Sequence, residues 1–99
     1  MQIAALVKAL EEAHRQLGVT VRRERGPFRG DRCVVDGAEV VVLNRMHPPE
    51  AHLAVLARSL RALPHEQLYL RPSVRAALED AWVAQDAGQD DAANADLDE

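Results

Sequence analysis

The sequence predicts a small α+β domain, and three observations carry that reading. Asp36-Gly37 stands between two β-branched runs, the strongest short-range hairpin signal, because a two-residue type I′ loop needs φ > 0 at both positions. Apolar residues recur at three- and four-residue spacing on either side of this hairpin, as amphipathic helices require. A chain of 99 residues supports one such core. The predicted order is a helix, a three-stranded antiparallel sheet, a second helix, a short segment and a third helix, with the helices on one face of the sheet. The domain fills residues 1–83, and residues 84–99 form a disordered acidic tail.

The first helix is expected over residues 2–17. Ile3, Leu6, Leu10, Ala13 and Leu17 make its stripe, while Lys8, Glu11, Glu12 and Arg15 sit off it, and Gly18 follows as a C-cap. Residues 19–25 alternate as a strand, and Gly26-Pro27-Phe28-Arg29-Gly30 breaks into a loop. If Asp36 and Gly37 are the hairpin loop, Val35 faces Ala38 and Cys33 faces Val40. The two-residue period then gathers Cys33, Val35, Ala38, Val40 and Val42 on one face, which we assign to the core, with Arg32, Val34, Glu39, Val41 and Leu43 opposite. Cys33, the single cysteine, has no partner for an internal disulfide and reads as a small buried hydrophobe in a reducing cytoplasm. Unless the third helix or the N-terminal strand covers them, Val34, Val41 and Leu43 leave an apolar patch that favours pairing with a second copy.

The second helix starts at Pro49-Glu50, where proline loses no hydrogen bond and the carboxylate complements the helix dipole, and it buries Leu53, Leu56, Leu60 and Leu63. Pro64 ends it. Residues 65–71 are expected to hold a β-like segment through Leu68, Tyr69 and Leu70. Pro72 opens the third helix, over residues 72–83, with Val74, Ala77, Leu78, Ala81 and Trp82 at helical spacing.

Charge divides the chain more sharply than its net −4 suggests. Residues 1–78 hold all twelve basic residues and eight acids, a body of +4, whereas residues 79–99 hold eight acids and no base. Within the body, Arg22, Arg23, Arg25, Phe28, Arg29 and Arg32 form a basic loop with one aromatic, the composition that contacts phosphates through arginine and stacks a base on phenylalanine. The alternative, which we prefer, is a solvated tip with Phe28 tucked back on the sheet, since the excess over residues 22–32 is only three charges. The acidic tail can screen this loop within one molecule, and the alternative, which we prefer, is a tail that only aids solubility.

No reaction centre is legible. His47, Glu50 and His52 straddle a helix start and do not share a face, and His14 and His65 lack ligands at metal-binding spacing, so no metal or other cofactor is expected. Gly26 and Gly30 precede no phosphate-binding helix, and neither serine, Ser59 or Ser73, sits in a nucleophile elbow. No apolar run approaches the roughly 20 residues that cross a bilayer, so a cytoplasmic protein without membrane contact is expected.

The run Val40-Val41-Val42-Leu43-Asn44, the Pro-Glu helix start and Val55-Leu56-Ala57 resemble the approach to the zinc helix of ImmA/IrrE-type metallopeptidases. In that family the helix bears His-Glu-x-x-His, two zinc-binding histidines and a glutamate general base. Here Arg58, Ser59 and Ala62 fall at the corresponding places, so the resemblance implies a fold and argues against peptidase activity. The body is also similar to small bacterial proteins with an apolar first helix, an Arg-Gly loop, an Asp/Asn-Gly hairpin and a Tyr-Leu-x-Pro segment, a likeness that implies no activity. The function expected is a non-enzymatic interaction domain, pairing with itself or with a protein partner. The alternatives are a nucleic-acid-binding module using residues 22–32 and a degenerate, zinc-less hydrolase-like domain.

Overall fold

In the computed structural model, which describes residues 2–88, the chain forms α1 (Ile3–Gln16), β1 (Thr20–Glu24), β2 (Asp31–Val35), β3 (Ala38–Asn44), α2 (Pro49–Arg61), a 3-10 turn (His65–Gln67) and α3 (Pro72–Asp86). This is the α+β order that the apolar periodicity dictates. Gly18 closes α1 at φ +82°, and Pro49 opens α2. No helix among the described residues is long and apolar enough to cross a membrane.

The sheet is mixed, which corrects the antiparallel expectation. Its strand order is β1-β3-β2, with β1 parallel and β2 antiparallel to β3. The chain leaves β1, skips the neighbouring position, lays β2 at the far edge and returns through the hairpin into the gap. β3 takes that gap because it alone carries four consecutive apolar residues, Val40 to Leu43, and a central strand is flanked by a neighbouring strand along each edge. The hairpin register is the expected one: Val35 pairs with Ala38 and Cys33 with Val40, across Asp36 at φ 52° and Gly37 at φ 81°.

The face assignment is inverted. Val41 and Leu43 are fully buried beneath α1 and α2, whereas Cys33, Val35 and Ala38 are exposed on the side without helices. The charged residues that seemed to mark a wet face, Arg32 and Glu39, stand toward the hairpin tip and pair with each other at 3.6 Å. Farther along that same face, the larger apolar side chains lie under the helices. The apolar patch expected from Val34, Val41 and Leu43 is therefore absent, with Val34 alone exposed at 67%.

The core gathers Val7, Leu10 and Ala13 of α1, Val19, Val41 and Leu43 of the sheet side, Val55, Leu56 and Leu60 of α2, and Val74 and Leu78 of α3. Each fully buried aliphatic side chain contributes about 1.5–3 kcal/mol by leaving water. α3 packs across the α1/α2 pair and ties itself to α2 through three side chains, Trp82, Gln85 and Asp86. The Trp82 indole N–H donates to the Ala57 carbonyl at 2.7 Å, and the Gln85 amide donates to the Ala54 carbonyl at 2.9 Å. Arg61 reaches over the Trp82 ring and donates twice to Asp86, which holds that carboxyl below its usual range. These contacts carry α3 through residues 84–86, which the sequence assigned to the tail; the remainder of that tail, from residue 89, lies outside the described residues. The expected β-like segment is instead the 3-10 turn and an irregular stretch, because Leu68 and Leu70 pack onto the core one at a time while Tyr69 points outward, 81% exposed.

Candidate interaction surface

All three helices lie on one side of a three-stranded sheet, so the other side is the place where the chain presents backbone and side chains together. Strand parity sets Thr20, Arg22 and Glu24 of β1, Val40 and Val42 of β3, and Asp31, Cys33 and Val35 of β2 on that side. Val40 is only 5% exposed there, since it sits in the central strand between Thr20 and Cys33. The thiol of Cys33 is exposed, which corrects the expectation of a buried hydrophobe.

One buried side chain fixes the loop at the end of this face. The Asn44 amide nitrogen donates to the carbonyls of Gly26 and Phe28, and its oxygen accepts the Met46 N–H at 2.9 Å. The Asn44 backbone carbonyl in turn accepts from Nε2 of buried His52 at 2.7 Å, joining loop, sheet and α2. Gly30 passes so close to β3 that a Cβ would stand 2.6 Å from the Val42 carbonyl oxygen. With the loop so held, Phe28 lies half-buried on the open side of the sheet, beside an open recess of about 320 Å³ lined by Glu24, Phe28, Arg29, Asp31, Cys33 and Val42.

The six residues singled out in the basic loop do not gather into one surface. Arg23 lies on the helix side, donating from Nε and Nη2 to Glu11 at 3.2 and 2.7 Å. Arg32 lies on the helix side of the opposite edge, paired with Glu39, and Arg22 is on the open side within 3.7 Å of Glu24. Arg25 and Arg29 are exposed and make no ion pair among the described residues, and with Phe28 they are what remains of the site. Parity explains the division, because adjacent residues of a strand face opposite sides.

A second polar constellation was not legible as such. His14 is completely buried; its Nδ1–H donates to the Leu10 carbonyl at 2.7 Å, so Nε2 accepts the Ser59 hydroxyl at 3.0 Å. Burial pushes the imidazole below its ordinary pKa, and the Arg32 charge adds to that against the backbone bond and Glu11. A hydroxyl beside a neutral imidazole has the composition of a nucleophile and its base. Here Ser59 is itself only 6% exposed and the recess on the open face does not reach the pair, so it acts as a clamp between α1 and α2. The signal that would have found it is His14 standing four residues after Leu10 on the apolar stripe of α1.

No three His, Cys, Asp or Glu side chains among the described residues are grouped to hold a metal ion. Of the places where the family resemblance sets ligands and base, Ser59 is committed to His14, Arg58 is half-buried and Ala62 is exposed. Compared with protein-family models, with curated proteins and with solved structures, the chain finds no match.

Proposed function

We propose that the chain is a non-enzymatic interaction domain whose working surface is the uncovered side of its sheet and whose partner is a protein, in the first instance a second copy of itself. The observation that carries this reading is the placement of every helix among the described residues on the Val41/Leu43 face, which leaves β2 exposed at every residue but half-buried Arg32. Buried apolar area holds the fold together on one side only, and an uncovered sheet with free edges is the structural form in which backbone groups recruit another chain. The polar constellations support the same reading: the His14–Ser59 pair is sealed in the core, and the lining of the recess on the open face sets Cys33 with the exposed carboxylates Glu24 and Asp31 and no histidine. Sedimentation velocity from low micromolar to near-millimolar concentration tests the proposal. A reversible rise in sedimentation coefficient, abolished by Val35→Glu, is expected. A monomer throughout, with backbone amide resonances that do not move with concentration, contradicts it.

A second reading, nucleic-acid binding, rests on Arg25 and Arg29 flanking half-buried Phe28. Two arginines and one stacking ring would give weak binding with a shallow salt dependence, about two phosphate charges in slope. A mobility shift on single-stranded RNA at two salt concentrations, repeated with Arg25→Ala/Arg29→Ala, decides it.

A further inference from the structure

Resting on the interaction-domain reading, we propose that two copies of the chain pair through β2, antiparallel about a two-fold axis at Cys33, and so join their sheets into one.

β3 is central, so among the described residues β1 and β2 each have an unpaired side. β1 is guarded by charge: three of its five residues are Arg22, Arg23 and Glu24, and Arg23 is held across to Glu11. β2 has charge only at its start, Asp31 and Arg32, and then runs Cys33-Val34-Val35, all exposed.

The hairpin fixes which backbone groups of β2 face outward. In a type I′ two-residue loop the flanking residues, Val35 and Ala38, form a hydrogen-bonded pair, and the ladder alternates from there. Val35, Cys33 and Asp31 therefore turn their N–H and C=O toward β3, while Val34 and Arg32 turn theirs to the free edge. The Arg32 N–H confirms the direction, since it donates to the Asp31 carboxylate at 2.7 Å, a local substitute for a strand partner.

Symmetry then selects the register. A two-fold between identical antiparallel strands must pass through one residue facing its own copy. At Asp31 or Arg32 it would set like charges directly opposite, and at Val34 or Val35 it would run strand residues past the turn. At Cys33 all five residues are matched: Arg32 faces Val34 of the second copy, Val34 faces Arg32, and Asp31 faces Val35. The outward groups of Arg32 and Val34 then meet as two hydrogen-bonded pairs, making four backbone bonds. Between them the Cys33 pair is of the non-hydrogen-bonded kind, with Cα atoms about 4.5 Å apart, within the roughly 4.4–6.8 Å that a disulfide spans. An interface of five residues from each copy is small, so the dimer is reversible and weak.

The test uses the full chain, with dimerisation measured by sedimentation and the register by two readouts. Val34→Lys sets like charges across the axis twice and should weaken dimerisation by about tenfold or more. Adding Arg32→Glu turns both contacts into opposite charges and should restore the dimer to within about threefold of the original chain. In parallel, oxidised glutathione takes two protons and two electrons from the paired thiols, and a Cys33–Cys33 disulfide should form in the original chain and in the double variant but not in Val34→Lys. Val34 is exposed, so the single variant keeps its fold, which circular dichroism checks. A dimer indifferent to Val34→Lys, not restored by Arg32→Glu, or without the disulfide overturns the β2 pairing while the interaction reading stands. A monomer at every concentration overturns both.

Discussion

Replacing Gly30 with alanine should destabilise the domain more than any other single added methyl group at a glycine. The new Cβ would stand 2.6 Å from the Val42 carbonyl oxygen, 3.3 Å from the Leu43 Cα and 3.3 Å from a Val55 methyl. The first contact decides the outcome. An unstrained approach needs roughly 0.6–0.8 Å more, and Val42 cannot yield it alone, because it is paired with Asp31 on one side and Arg22 on the other. Overpacking of this kind costs about 2–3 kcal/mol, and the stiffer unfolded chain offsets about 0.5 kcal/mol of it. A net loss of about 2 kcal/mol lowers Tm by about 8–16 °C in a domain of this size. Gly37→Ala is the comparison: nothing lies within 4 Å of its Cβ, so only the φ of +81° opposes alanine, at about 1–2 kcal/mol. Thermal and urea unfolding followed by circular dichroism read both variants. A Gly30→Ala protein whose Tm stays within about 2 °C of the original would refute the close approach of the loop to β3.

Three further outcomes follow from other contacts. Burial holds His14 below the ordinary 6.5, so the unfolded chain takes up the proton first: stability is complete above about pH 6.5 and falls as pH drops toward the lowered folded value, a slope that urea midpoints should show and His14→Gln should remove. Trp82→Phe deletes the indole N–H that meets the Ala57 carbonyl and should cost about 1 kcal/mol in urea unfolding, with most of the ring packing kept. Arg23→Ala leaves the nearly buried Glu11 carboxylate without its two donors and should cost about 1–3 kcal/mol in the same assay, part of it recovered by Glu11→Gln.

The elements and the hairpin register were legible because they are written in local chemistry: proline at the helix starts, glycine after α1, and Asp-Gly between β-branched runs. Which face of the hairpin is buried was not. Period-two alternation defines two faces and leaves the choice to what packs on them, and Arg32 and Glu39 misled because a charged pair at a projecting tip looks like a wet face. The strand order was half legible, since Val40-Val41-Val42-Leu43 is the run of a central strand, yet the parallel pairing of β1 depends on a loop crossing that no local signal records. The same limit dispersed the basic loop: five arginines close in sequence lie on two faces and a loop once strand parity acts on them. Of the His14–Ser59 clamp, the sequence shows only His14 on the apolar stripe of α1; its partner, 45 residues away, could be seen only after the helices were packed.

Concentration-dependent amide spectra of uniformly nitrogen-15-labelled chain, from low micromolar to near-millimolar, test the pairing of β2 with a second copy residue by residue. Resonances of Arg32 and Val34, whose N–H groups face the free edge, should move most, those of Cys33 and Val35 should follow, and those of α3 should stay in place. Invariant spectra over that range, or shifts clustered on the helix side while β2 stays still, would contradict the pairing.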